Sequence, residues 1–283
     1  MKKFMKNMWP LALLLGLLCV SATATAQQPG SGSSKAAQPA GKHVPQAKTK
    51  PEFADYNTAY AVSGGAASEK AAEDFAAKYP DSELKSFLYS KAMHEYQTEN
   101  NKPKIEAMGE KVLQLDPDNP VALVLTATVL ADTLADTDTD RAKKVAMIKK
   151  NSDHALETIN SDFAPGANVS PEQLAAYKRT LQSMAHSALG IVALKSGDDA
   201  GAEKELKTAA DANSSQPDPY VWYHLALAQD HQKKYPEAMA SVNKAVQYAG
   251  SDPELAVLAQ GELTRLQTLN QVAPDAAKPQ PPK

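Results

Sequence analysis

Asp136, Asp138 and Asp140 alternate ahead of Arg141, which is how a calcium loop begins. Such a loop also needs a glycine at its sixth position and a glutamate at its twelfth. Arg141 and Met147 stand there instead, so the aspartates read as the cap of a helix that follows. The histidines, His43, His94, His154, His186, His224 and His231, are scattered along the chain. His224 and His231 are seven residues apart, on one helical face but ~10 Å apart along its axis. That is too far for one zinc ion. The sequence contains no GxxxxGK[ST] loop, no GxGxxG after a strand, no GxSxG, no HExxH and no CxxC. It therefore offers no catalytic group, no metal site and no cofactor site. An enzyme would need a converging acid and base, which the sequence does not show.

What remains is surface recognition, so the elements that make a surface come next. In Pro219 to Gly250, Trp222, Leu225, Ala226 and Gln229 recur at i, i+3, i+4, i+7 and share one helical face. A break follows at Lys233-Lys234-Tyr235, and Pro236 suits the first turn of a second helix. Ala238, Val242 and Ala245 then recur at helical spacing. Neither short helix can bury its stripe alone, so the pair needs neighbours on either side.

The pair recurs. His186, Leu189-Gly190, Ala193, Ala202, Leu206 and Ala209 repeat the pattern upstream, with Ser196-Gly197-Asp198 as the turn. Tyr89, Ala92-Met93, Tyr96 and Ile105 form another copy, ending in Leu115-Asp116-Pro117-Asp118-Asn119. Leu123, Thr126-Ala127 and Leu130 form a third, and Asp55 opens the poorest one. Positions 55, 89, 123, 186 and 222 are separated by 34, 34, 63 and 36 residues. This resembles the tetratricopeptide repeat, W-x2-L-G-x2-Y then A-x3-F then A and P, with a period of 34. The string Ala71-x3-Phe75 with Tyr79-Pro80-Asp81-Ser82 is similar to repeats of bacterial envelope proteins of the outer-membrane assembly and Tol-Pal-associated kind. The resemblance implies an all-α, right-handed solenoid of about five helix hairpins. Val121 to Val129 has strand propensity, but its register matches the other first helices and it is assigned as helix.

Met1 to Ala26 reads as a secretory signal, with Lys2, Lys3 and Lys6 before the apolar run Trp9 to Val20 and a small-x-small end at Ala24-Thr25-Ala26. The run falls short of the ~20 residues that span a bilayer. Cys19 is the single cysteine, and Leu18 stands where a lipoprotein signal has a small residue, so cleavage at Ala26 is expected rather than lipid anchoring. A periplasmic or secreted protein follows. Residues 27–50 lack large apolar side chains and read as a disordered linker, and the Pro-rich 273–283 as a disordered tail. Of 30 basic and 33 acidic residues, nine and one lie outside 51–272, leaving 21 and 32 and a net −11. Nucleic acid is excluded as a partner, because phosphate neutralisation needs clustered Lys and Arg.

The spacing of 63 leaves an insertion near 134–180. It predicts a helix to about Asn160 capped by Thr139 or Asp140, a loop with Pro165, Gly166 and Asn168, and a long helix from Ser170-Pro171-Glu172 to about Lys195. The two form an antiparallel hairpin over 140–195, whose stripes bury each other or whose overhang offers a partner or self-association surface. A last helix over 253–272 caps the stack.

In the family, first helices line a concave groove. Carried over, its peptide-facing positions are Tyr56 and Tyr60, Phe87 and His94, Val124, Ile191, and Tyr220, Tyr223, His224 and Leu227. Lys91 is the one basic residue among such positions, so the carboxylate clamp of some members is missing and an apolar segment is the expected ligand. The alternative for the aromatic positions is packing between repeats. The resemblance implies a non-enzymatic scaffold for a protein or peptide partner, in the setting of cell-envelope assembly.

Overall fold

The computed structural model describes residues 45–161, 169–250 and 252–276, and the side chains of the last helix as far as residue 270. The signal segment with Cys19, the linker up to residue 44, the loop residues Pro165, Gly166 and Asn168, and residues 277–283 lie outside the described residues. Eleven helices are described: α1 (Lys50–Tyr60), α2 (Gly65–Lys78), α3 (Lys85–Thr98), α4 (Lys102–Leu115), α5 (Pro120–Thr133), α6 (Arg141–Thr158), α7 (Pro171–Lys195), α8 (Asp199–Ala212), α9 (Pro219–His231), α10 (Tyr235–Tyr248) and α11 (Pro253–Ala276). No strand occurs among the described residues.

The helices begin where capping chemistry allows. Asn119 and Asp218 accept backbone N–H bonds ahead of Pro120 and Pro219, each proline sitting where its missing donor costs nothing. Ser170 and Gln173 close a reciprocal capping box on α7. α1 starts inside the expected linker: Thr49 accepts from Glu52 N, and Glu52 Oε2 accepts from Lys48 N at 2.7 Å. Thr49-x-x-Glu52 is itself a helix-start signal that the low apolar content of the segment hides. At the other end α11 runs four residues past 272, to Ala276. Asp140 precedes α6 without a side-chain cap bond and pairs with Lys144 instead.

Helices pair in sequence as α1/α2, α3/α4, α5/α6, α7/α8 and α9/α10, and each second helix also packs on the next first helix. First helices touch across repeats, α1 on α3, α5 on α7, α7 on α9 and α9 on α11. Five stacked hairpins and a terminal helix make a tetratricopeptide-like solenoid. Within hairpins a large residue faces a small one. Gly190 of α7 faces Leu206 of α8, where an added Cβ would lie 2.5 Å from Leu206 Cγ. In the second hairpin the sizes are exchanged: Met93 stands on α3 and Gly109 on α4, with a Cβ at 109 reaching Met93 Sδ at 3.5 Å. Hairpin turns pass through left-handed residues at Gly64, Asn100, Gly197 and Lys233.

The insertion does not stand apart. α6 packs against α5 as the second helix of the third hairpin, and against α7. α7 is 25 residues long: its C-terminal half is the first helix of the fourth hairpin, and its N-terminal half adds Tyr177 and Leu181 to the cluster that holds Ala155 of α6 and Ile159 just past its end. α5 is apolar all round, with twelve of its fourteen residues buried. Such a helix has no solvent face to offer.

Candidate partner-binding surface

The ten predicted positions separate into two sets. Val124 (0% exposed), Ile191 (3%), Tyr56 (4%) and Tyr220 (8%) are enclosed in the core and present no surface to a ligand. Tyr60, Phe87, His94, Tyr223, His224 and Leu227 are half-buried. The physical reason is local to the third and fourth hairpins. Val121, Val124 and Thr128 lie on the enclosed α5, and Met184, Ser187 and Ile191 of α7 are buried beside it. The row of first-helix positions is thus closed in its middle and open at both ends.

At the N-terminal end, Tyr60 stacks at a tilt on Tyr56, with centroids 5.6 Å apart, and Tyr56 meets Phe75 edge-on at 6.3 Å. Lys91 Nζ lies 5.9 Å from the Tyr60 ring centre, donates to Val62 O and pairs with Glu95 at 2.8 Å. Glu95 accepts from Gly64 N in turn, so Lys91 secures the first hairpin's turn. A lysine so engaged is no carboxylate clamp. His94 Nδ1 sits 3.2 Å from Gln97 Oε1, and burial lowers its pKa, leaving a neutral ring on this patch.

At the C-terminal end, Tyr220 reaches inward and donates to Asp252 Oδ2 at 2.8 Å, while Asp252 Oδ1 caps α11 through Glu254 N and Leu255 N. Tyr220 is therefore a strut between α9 and α11. Tyr223 meets His224 edge-on at 5.8 Å. Burial drives the His224 pKa down to about 4, outweighing an opposing bond to the Tyr220 backbone. Burial also raises the Tyr223 hydroxyl, with the Glu262 carboxylate adding to it. Apolar and aromatic groups held neutral can bind an apolar segment, and they supply no acid–base pair.

Other residues that looked chemical have structural partners. Asp136 pairs with Arg141, and Asp138 and Asp140 with Lys144. His186 Nδ1 lies 2.8 Å from Glu205, and His231 Nδ1 2.8 Å from Asp199. Among the described residues no cluster of three or more His, Cys, Asp or Glu is placed to hold a metal ion, and no helix is long and apolar enough to cross a membrane. Two networks had no sequence signal. Lys195 Nζ donates to Ala131 O, Asp132 O and Leu134 O at 2.8, 3.1 and 2.9 Å, closing the end of α5 from two helices away. Arg265 bridges Glu262 and Asp230, beside Tyr223.

No family model and no curated protein matches the chain. Among solved structures, a thermophilic tetratricopeptide-repeat protein of Thermus thermophilus is similar over 75% of this chain and 99% of that one, at 15% identity and a TM-score of 0.45. The helix pairing carries the assignment itself: the chain folds as an all-helical solenoid of tetratricopeptide type.

Proposed function

We propose that the chain is an exported, non-enzymatic scaffold that holds an apolar peptide or protein segment at the open ends of its first-helix row, in the setting of cell-envelope assembly. One observation carries this reading. Among the ten predicted positions, the aromatic and aliphatic residues that stay half-exposed are Tyr60 and Phe87 on one side and Tyr223 and Leu227 on the other. Buried anchors of this kind dominate binding energy where a partner fills them. The sequence signal at Met1–Ala26 supports export to the periplasm or beyond, and the acidic body speaks against nucleic acid. Photo-reactive residues placed at Tyr60 and Tyr223 in living cells test the reading. Protein adducts are expected from at least one position and none from a control at Lys70, whose exposed side chain pairs with Asp74. An absence of adducts from both would overturn it.

A further inference from the structure

The two open ends of the first-helix row differ in charge. At the N-terminal end α1 and α3 carry Lys50, Lys85 and Lys91 against Glu52, Asp55 and Glu95, a balance of three and three. At the C-terminal end α9 carries Asp230, and α11 as far as residue 270 carries Glu254, Glu262 and Arg265. The buried cap Asp252 makes that four carboxylates to one cation. Lys195, the cation that acts on His224, is engaged by three carbonyls at the end of α5.

These carboxylates border apolar groups. Leu258, 47% exposed, has Glu254 one turn before it and Glu262 one turn after it on one face of α11. Asp230 stands one turn beyond Leu227 on α9, and Arg265 ties it to Glu262. Two carboxylates around one guanidinium leave that cluster negative with its arginine bonded to both. The field reaches the aromatic groups: after burial, Glu262 raises the Tyr223 hydroxyl pKa more strongly than Arg265 lowers it. Asp252, Asp218 and Glu254 add to burial in the same sense at Tyr220.

Resting on the reading of the row as a binding surface, we propose that its α9–α11 end receives a cationic apolar protein segment. Leucine- or phenylalanine-like side chains of the partner cover Tyr223, Leu227 and Leu258, and lysines or arginines beside them meet the carboxylate rim. The net −11 of the folded part draws such a segment in and repels an acidic one. The α1–α3 end, with its charges balanced, takes apolar side chains without regard to sign.

The test is fluorescence anisotropy on protein purified after expression of the full chain, with two labelled peptides. Both have a leucine–phenylalanine centre; one has lysines at each end and the other glutamates. The lysine peptide should bind at least tenfold more tightly at low salt, and the ratio should narrow as salt brings the Debye length to ~10 Å and below. Asp230→Asn with Glu262→Gln should shrink the ratio, and Arg265→Gln, which removes the one cation of α11, should widen it. Tyr223→Ala should remove most of the preference and Tyr60→Ala should leave it. Helical circular dichroism of each variant verifies folding. Equal binding of the two peptides overturns the proposal and leaves the apolar reading standing, as does binding of neither while adducts form at Tyr223 in cells. Without adducts at either position, both fall. A ratio that Arg265→Gln and the paired carboxylate change leave untouched overturns it too. Deleting residues 277–283, with Lys278 and Lys283, should leave binding unchanged. A large gain on deletion makes the tail the occupant, and self-association that excludes the lysine peptide makes a second copy the occupant; either result overturns the proposal.

Discussion

Adding one methyl group at each of two helical glycines should move stability in opposite directions. At Gly190 a new Cβ would lie 2.5 Å from Leu206 Cγ, 3.0 Å from Cδ2 and 3.2 Å from Leu206 N. Carbon atoms sit 3.5–4.0 Å apart at best contact, so α7 and α8 must separate by a good part of an ångström, and a backbone atom cannot swing aside. Overpacking of this kind costs ~1–3 kcal/mol, against ~1 kcal/mol gained from alanine over glycine in a helix. Gly190→Ala should therefore lose about 1 kcal/mol, the middle of a ~0–2 kcal/mol range. Gly261 has nothing within 4 Å, so Gly261→Ala should keep the whole gain of ~0.5–1 kcal/mol. The separation of ~2 kcal/mol corresponds to ~4–8 °C in Tm for a domain of this size. Urea unfolding by circular dichroism at micromolar concentration reads it out. A cycle sharpens the result: Leu206→Ala alone should cost ~2–5 kcal/mol, and in a Gly190→Ala background the new methyl enters the space, returning ~1–2 kcal/mol as coupling. Gly190→Ala at or above wild-type stability, or additivity within ~0.5 kcal/mol, would refute the facing of these two residues.

Lys195→Met should cost ~2–4 kcal/mol, because three carbonyls at the end of α5 lose a charged donor; a chemical denaturation midpoint equal to wild type counts against that role. Lys233 sits at φ 60°, where a non-glycine residue costs ~1–2 kcal/mol, so Lys233→Gly should raise Tm by a few degrees in calorimetry. His224 is held neutral by burial, its pKa lowered from 6.5 to about 4. The unfolded chain takes up the proton first as pH falls, so stability drops between about 6.5 and about 4, by up to ~3 kcal/mol at ~1.4 kcal/mol per unit. His224→Leu should flatten Tm against pH in that window while leaving the fall below about 4.5, where Glu69, Glu95 and Glu203 lose their partners; despite desolvation their pKa values are lowered, in Glu69 by Tyr96 and then Lys104, in Glu95 and Glu203 by bonded lysines first.

The solenoid was legible because its small residues are periodic. Ala202, Leu206 and Ala209, and likewise Ala238, Val242 and Ala245, are fully buried at the helical positions their spacing marks. The accessibility of the groove was not legible. Whether a first-helix position faces a hollow or a neighbour depends on how the stack curves, which no single repeat encodes. One signal did point the right way: Val121 to Val129 is apolar all round, the composition of a helix with no free side. Family register placed Val124 in a groove, whereas the structure buries it completely. Lys195 could not have been found, since its three acceptors lie some sixty residues away in sequence and share no pattern with it.

The closure of α5 bears on the proposed binding role. An open groove binds one continuous segment along its length, each repeat adding contacts. Here the middle is occupied by the chain's own α5 and α7, so the half-buried aromatic groups at α1 and α3 are separated from those at α9 by packed core. On the proposed reading, a partner would engage the ends as two sites. Each is small, and affinity then depends on whether one ligand spans both, since the second contact forms at a high effective concentration only when the linker matches the span. Single substitutions distinguish this arrangement from a groove. In a groove, Tyr60→Ala and Tyr223→Ala weaken one ligand by adding their effects. With two sites bridged by one ligand, either change abolishes the avidity, and the second then costs far less than the first.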